Sequence, residues 1–437
     1  MILGIDLGST FFKATLFDRD LVPRGWGAAT VAYAPSGGNL AEMPVPETEA
    51  ALREAIAAAL GGAALKEGDL DAIAITSQAQ TFTIRAAGGE ARIPFISWRE
   101  ARCAGSQRVA DALTDFEQHC SAYECLPLLM VSKLAWLQDT FKGGWIGPDD
   151  LVLMLPSWFV LQWTGIPVVD TNLAAMSGLY SLPEDGWWDE ALRVCACRER
   201  NLPALAELGT VAGTTLKAAK RYGLPPGIPV VLAGNDQTAG AYGASIHEQN
   251  ATLITLGTAQ VAYTVGKSMP RPAPGTLRGP YPGGRYYQLA ADECGAGTVH
   301  WARTVLAGCA DEADFDAAAA SAPTDCGGVR FIADGSAGSG RWVGGAPPTT
   351  AADQARAVLV CLVDRMAHRL DRLQPAAVEK RLLLAGGGSQ SAVWRDCLQQ
   401  RLGQPLHRVE TATPTLGAAR MALEQGRFPS FAADGYS

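Results

Sequence analysis

Two stretches of the chain repeat one design, an apolar run, a turn of small residues and a second apolar run. The first comprises residues 2–7, then Gly8-Ser9-Thr10, then residues 11–17; the second comprises residues 251–256, then Gly257-Thr258, then residues 259–264. Each reads as a buried strand, a tight turn and an antiparallel partner. Glycine at the turn lets backbone N–H groups approach a bound anion, and the Ser and Thr hydroxyls add donors beside them. The echo of Leu7-Gly8-Ser9 in Leu256-Gly257-Thr258 predicts two related halves, each presenting its turn to a shared cleft. One carboxylate, Asp6, interrupts the first apolar run.

A chain of 437 residues is too long for one ordinary core. The proline-rich segment 225–229 reads as a linker and divides it into domains at 1–228 and 229–437. Hydrophobic content of 48% with 18% charged residues describes a large globular core. A net charge of −8 argues against nucleic acid as a partner, since polyanion affinity comes from basic surface; one local nucleotide site remains compatible with it. The ten cysteines contain no Cys-x-x-Cys pair and read as reduced core thiols of a cytoplasmic protein. The N-terminal run lacks a basic segment and carries Asp6, so it does not read as a signal peptide. The most apolar stretch, 151–163, is broken by Pro156 and Ser157 and falls short of the roughly 20 residues that span a bilayer, so no membrane partner is expected.

Periodicity predicts a third strand within 21–33 and a helix over 46–60 with Ala51, Leu52, Ala55, Ile56, Ala59 and Leu60 on one face. A buried strand over 71–77 follows, leading into Gln78-Ala79-Gln80-Thr81. Three strands, a helix and a strand open a ribonuclease-H-like module. Residues 99–205 read as mostly helical and rich in tryptophan, 268–285 as a Gly/Pro-rich loop or lid, and 295–308, 311–321, 350–373, 391–402 and 414–424 as helices.

Asp236 follows the buried strand 230–233 amid small residues, where a carboxylate can face a ligand as general base. The same residue is equally suited to cap the helix that Thr238 begins. Gly386-Gly387-Gly388-Ser389 suits close approach to a nucleotide and suits a plain strand-to-helix turn just as well. It lacks dinucleotide-binding spacing, and Gly266-Lys267-Ser268 is no Walker loop because the required first glycine falls at Val261.

In order along the chain, these pieces resemble the FGGY carbohydrate kinases, within the superfamily of sugar kinases, heat-shock ATPases and actin. Gly4-Ile-Asp6-Leu-Gly8-Ser9-Thr10 with Lys13 resembles the first phosphate motif, and Leu256-Gly257-Thr258 the second. Gln78-Ala79-Gln80 and Trp98-Arg-Glu100-Ala-Arg102 resemble the paired sugar-contact segments. Gly234-Asn-Asp236-Gln237 through Gly243 resembles the catalytic segment, and 385–394 with 415–419 the adenosine region. The resemblance implies an α/β fold of two ribonuclease-H-like, actin-like ATPase domains with a cleft between them; the two half-sites on separate halves of the chain predict that the cleft closes over the reactants. The resemblance also implies ATP-dependent phosphorylation of a small-molecule sugar or polyol; the small residues after Asp236 make a ketopentose such as xylulose the first candidate.

By the same resemblance Asp236 is the base, and Asp6 and Asp236 are the residues at Mg²⁺. Gly8, Ser9, Thr10, Lys13, Gly257 and Thr258 face the phosphates of ATP, and Gly387, Gly388 and Ser389 the adenine. Gln78, Ala79, Gln80, Trp98, Glu100, Arg102, Asp236 and Gln237 face the acceptor. Many members carry Gln-x-His-Gly where this chain has Gln78-Ala79-Gln80-Thr81, and Trp-x-Asp-x-Arg where it has Glu100. A nucleotide-binding regulator or actin-like ATPase without an acceptor, and a degenerate kinase without turnover, are also compatible with these residues, as is a homodimer.

Overall fold

The computed structural model describes residues 1–34, 41–61, 68–100, 102–103, 108–141, 145–335, 338–345, 348–373 and 380–424. Its framework is two six-stranded sheets. The first holds β1 (Ile2–Leu7), β2 (Phe11–Phe17), β3 (Pro23–Thr30), β4 (Ala72–Ser77), β5 (Val211–Thr214) and β6 (Pro229–Asn235), in the order β5-β6-β4-β1-β2-β3. The second holds β7 (Ala251–Leu256), β8 (Gln260–Gly266), β9 (Leu277–Tyr281), β10 (Arg285–Asp292), β11 (Arg381–Ala385) and β12 (Leu406–Arg408), in the order β9-β10-β8-β7-β11-β12.

The two sheets share one plan. β1 pairs antiparallel with β2 and parallel with β4, as β7 does with β8 and β11. A third antiparallel strand lies beyond, β3 in one sheet and β10 in the other, and a second parallel strand, β6 or β12, flanks the opposite side. This is the ribonuclease-H-like arrangement made twice, as the repeated hairpin predicts. β1 and β4 are buried along their whole length, which suits central strands covered on both faces.

Six helices matter most for the site: α1 (Val45–Ala59), α2 (Met130–Phe141), α3 (Asp236–Gly243), α4 (Ala351–Arg372), α5 (Ala392–Leu402) and α6 (Pro414–Leu423). α1 buries Ala51, Leu52, Ala55, Ile56 and Ala59, the face read from its 3.6-residue period. α6 packs on the first sheet and crosses α3 backbone to backbone. A Cβ added at Gly417 would lie 1.7 Å from the Ala239 carbonyl oxygen, and one at Gly4 would lie 2.2 Å from that of Thr415. Only glycine permits so close an approach.

Three expectations need correction. The division at 228/229 does not follow the sheets, because β6 pairs in parallel with β4 of the first sheet. The proline-rich segment ends the connection from β5 to β6, after the 3-10 helix Lys217–Tyr222, and is tied down where Thr215 Oγ1 donates to the Pro225 carbonyl at 2.6 Å. A buried apolar strand carries no local mark of which sheet it joins. Residues 99–205 are less helical than expected, with strands Leu151–Met154, Val168–Asp170, Tyr180–Ser181, Gly186–Trp187 and Ala204–Ala206 among their helices. The 268–285 run is not all loop, since β9 lies in it and pairs with β10. All ten cysteines are free thiols, eight of them buried. Among the described residues no helix is long and apolar enough to cross a membrane.

Candidate active site

Asp6, Gln78 and Asp236 meet at one edge of the first sheet. In the parallel registers Asp6 lies beside Thr76, and Asn235 beside Ser77, so the three residues sit at the C-terminal ends of β1, β4 and β6. That edge is where parallel α/β sheets leave a crevice.

The two roles open to Asp236 are separated by its neighbour. Asn235 is the N-cap of α3, its side-chain oxygen accepting from Gln237 N at 3.0 Å, and Asp236 is the first helical residue. Asp236 Oδ1 also accepts from Gln237 N, at 2.8 Å. Burial pushes the Asp236 carboxyl up to about 6, against the helix N-terminus and the Asn235 side chain, which pull it down. Asp6 is 4% exposed, and its carboxyl is pushed up to about 7, first by burial and then by the charge of Asp236. Lys13 Nζ lies 4.0 Å from Asp6 Oδ2 and offsets this only in part.

Asp6 Oδ1 is buried and has no hydrogen-bond partner among the described residues. An orphaned carboxylate oxygen that feels a second carboxylate is what a hard, oxygen-seeking divalent cation fits. The two acids supply part of such a shell, leaving the remaining ligands to water and phosphate. Among the described residues no group of three or more His, Cys, Asp or Glu side chains could hold a metal by itself.

Both turns are held by their carbonyls. In the first, the carbonyls of Gly8, Ser9 and Thr10 accept from Gln78 Nε2 at 3.2 Å, Tyr33 OH at 2.7 Å and Val31 N at 2.9 Å. In the second, Gly257 and Thr258 accept from Ala296 N and Gly297 N at the start of helix Ala296–Val305, at 2.7 and 3.2 Å. Among the described residues, binding each carbonyl from outside fixes the turns without occupying the N–H groups of Ser9, Thr10 or Thr258. Gly257 N is the exception, since it donates to Ala259 O at 3.0 Å. The position matching Asp6 in the second hairpin is Thr255, so only one turn carries an acid.

The glycine triplet lies against the second turn. Gly386, at φ +86°, would place a Cβ 2.5 Å from the Leu256 carbonyl oxygen, and one at Gly388 would strike the Trp394 ring at 2.5 Å. Gly387 alone faces open space among the described residues. Ser389 is buried and its hydroxyl donates to the Gly386 carbonyl at 2.6 Å. Gly388 and Ser389 therefore build the turn, and Gly387 is its open member.

A cavity of about 500 Å³ opens between the halves, lined by Ser9, Gln78, Ala79, Gln80, Trp98, Asp236 and Gln237 together with residues of β8 and β10. Glu100 and Arg102, expected at the acceptor, do not line it. Glu100 is 2% exposed; its oxygens accept from Ala41 N at 3.2 Å, Arg102 N at 2.9 Å and the Arg102 guanidinium at 2.9 Å. These bonds hold its carboxyl below the usual range against burial, which raises it. Arg102 also pairs with Glu42 and stacks over Trp136, 4.8 Å from the ring centroid.

Lys133 on α2 is the residue the sequence reading missed. Fully buried, it donates from Nζ to the carbonyls of Gln80 at 3.0 Å and Ser97 at 2.9 Å, tying the two acceptor segments together. Burial drops its ammonium to about 7. The signal was its place among Met130, Val131, Leu134, Ala135 and Leu137, all buried on the same helix.

Two ribonuclease-H-like sheets with paired small-residue turns and a carboxylate lining the cavity between them make an actin-like ATPase fold. The N-terminal domain model of the FGGY family of carbohydrate kinases matches residues 1–243 and the C-terminal domain model residues 252–424. The chain belongs to the FGGY family of carbohydrate kinases. It is 26% identical over 373 residues to a xylulose kinase of Escherichia coli strain K12, covering 81% of this chain and 76% of that one. A glycerol kinase of Deinococcus radiodurans is 27% identical over 450 residues, covering 96% and 88%. In fold it matches the structure of a ligand-bound xylulose kinase from Lactobacillus acidophilus with a TM-score of 0.87 at 20% identity, covering 97% of this chain and 89% of that one.

Proposed function

We propose that this carbohydrate kinase transfers the terminal phosphoryl group of ATP, with Mg²⁺, to a hydroxyl of a small sugar or polyol, and that Asp236 is the base. The observation that carries the proposal is Asp236 itself: it lines the cavity, its capping role is taken by Asn235, and burial raises its carboxyl to about 6. A base of that strength is ionised at neutral pH yet able to accept a proton.

Phosphoryl transfer asks for in-line positioning and neutralised charge more than for covalent chemistry. Ser9, Thr10 and Thr258 donate to the phosphates from turns fixed by their carbonyls. Lys13 adds a positive charge beside them, and Gly387 leaves room for the adenine. Gln78 positions the acceptor while holding Gly8, and Asp236 takes the proton from the attacking hydroxyl. Asp6 and Asp236 would hold Mg²⁺, which supplies the positive charge that lets two carboxylates share a cleft with a triphosphate. A cytoplasmic location accords with ATP as donor and with ten free thiols.

The deciding experiment measures ATP turnover with and without a panel of pentuloses, hexuloses and polyols, xylulose first because relatives carry that name. Acceptor-dependent turnover abolished by Asp236→Asn supports the proposal. Turnover indifferent to every acceptor would point to a nucleotide-binding regulator.

A further inference from the structure

The strand at the outer edge of the second sheet, β9, is met there by the other half of the chain. Residues 117–124, within the N-terminal half, run against it: Ala122 makes an antiparallel bridge with Leu277, and Arg278 N donates to the Ser121 carbonyl at 3.1 Å. The Ser121 hydroxyl is buried 3.0 Å from Tyr287 OH on β10. Covering an edge strand blocks stray pairing, and here it also ties a segment of one half to the sheet of the other.

Arg278 is the clamp at this contact. It is 6% exposed. Nη2 donates to the carbonyls of Glu117 at 2.8 Å and Gln118 at 2.9 Å, on the short helix Phe116–His119, and Nη1 donates to that of Pro270 at 2.7 Å. Burial pulls its guanidinium below the usual arginine range, as expected of a charge held out of water. An apolar side chain would fill the same place at less cost, so packing alone does not account for an arginine. What the guanidinium adds is a rigid fork of donors that fixes where 117–118 sits over β9.

Both partners of the clamp reach the cavity that holds Asp236. Beyond Ala122 the segment brings Tyr123 and Glu124 to the cavity wall, and Leu277 of β9 lines the same wall. Further along, β9 is tied to the proposed base. The fully buried Asn172 donates from Nδ2 to the Pro280 carbonyl at 2.8 Å, while its Oδ1 accepts at 3.0 Å from the N–H of Asn235, the residue before Asp236. β9 is thus a bar gripped twice, by 117–124 through Arg278 and by the Asp236 turn through Asn172. The spacing of Tyr123 and Glu124 from Asp236 is set along it.

We propose that Arg278 is a positioning residue for the acceptor: by fixing 117–124 to β9 it holds Tyr123 and Glu124 against the hydroxyls remote from the one that meets Asp236. A phenol can donate to and accept from such hydroxyls, and a carboxylate can accept from them. The proposal rests on the kinase function above.

The full chain, with Mg²⁺, ATP and the acceptor turned over fastest in the panel above, is compared with Arg278→Met, with the pair Tyr123→Phe and Glu124→Ala, and with all three changes together. Arg278→Met and the pair should each raise the acceptor KM about tenfold, with the KM for ATP within about twofold of the parent. The triple variant should be no worse than either, because the clamp then has nothing to position. Arg278→Lys, which keeps the charge and loses the fork, should fall between parent and Arg278→Met, and it carries the comparison if Arg278→Met does not fold. Hydrogen exchange over 117–124 should quicken in Arg278→Met. Exchange as slow as in the parent overturns the proposal without any turnover being measured, and leaves the kinase function standing. An unchanged acceptor KM, equal rises in both KM values, or effects of clamp and pair that multiply also overturn it. If no acceptor is phosphorylated by the parent, the kinase function fails and the acceptor role of Arg278 with it.

Discussion

Asn235 and Gln237 close a turn around Asp236: the Asn235 side chain caps α3 through Gln237 N, leaving Asp236 as the first residue of the helix and not its cap. Asp236→Asn should therefore keep the fold while lowering kcat by about 10²–10⁴-fold. Steady-state kinetics beside a thermal melt separates the two effects. A variant as active as the parent would remove Asp236 from the chemistry.

The pH dependence has a defined sign. Asp6 and Asp236 titrate at about 7 and about 6 in the folded protein, against an ordinary 3.8. The folded state thus holds protons that the unfolded chain releases near pH 4. The stability linked to these protons is fully present below that pH and is lost as pH rises through 6 and 7. Metal-free protein should melt lower at pH 8 than at pH 5 on account of this pair, and Mg²⁺ should recover the stability lost at pH 8. Asp6→Asn should flatten the profile and raise the metal-free stability at pH 8 by about 1–3 kcal/mol, while abolishing activity.

Two glycines should behave oppositely. Gly417→Ala puts a methyl into the Ala239 carbonyl and should cost about 1–3 kcal/mol, read as a lowered Tm. Gly387→Ala meets nothing within 4 Å among the described residues, so it should leave Tm unchanged and raise the KM for ATP. Equal melting temperatures for both would contradict the close crossing of α3 and α6.

Lys133→Met strands the carbonyls of Gln80 and Ser97. Removing a buried charge offsets part of that cost, so the chief effect falls on the alignment of the two acceptor segments. The acceptor KM should rise about tenfold, equivalent to about 1.4 kcal/mol, with the KM for ATP within about twofold of the parent. Equal shifts in both constants would indicate a general loss of structure.

The cavity is walled by both halves, and closing it would exclude the water that competes with the acceptor. Small-angle scattering should show a smaller radius of gyration with acceptor and a nonhydrolysable nucleotide together. An unchanged curve would argue for a rigid cleft.

Much of this was legible in the residues. The repeated Leu-Gly-Ser and Leu-Gly-Thr turns announced two sheets of one plan, and the period of 46–60 gave the buried face of α1. Less visible was anything settled by distant pairing. β6 reads the same whichever sheet it joins, and the division at 228/229 suffered for it. Glu100 is a carboxylate in a sugar-contact pattern, but its reach toward Ala41 N depends on a chain segment 59 residues away. Lys133 is marked only by its apolar helix neighbours, and its bonds to Gln80 and Ser97 depend on where that helix packs.

The position of α6 bears on how the molecule comes into being. Thr415 Oγ1 accepts from Thr15 at 3.2 Å, a bond across 400 residues, and its helix covers the inner strands of the first sheet. While the chain is being made, one face of the strand carrying Asp6 therefore waits uncovered until Pro414–Leu423 has left the ribosome, and the other packs on α1. Nearly everything between is synthesised first, so the nucleotide half of the site is begun early and finished late, as expected of a fold with such long-range closure. A nascent chain halted before α6 should expose that apolar face to chaperones, and the enzyme's first competent cleft should form only after release of the whole fold.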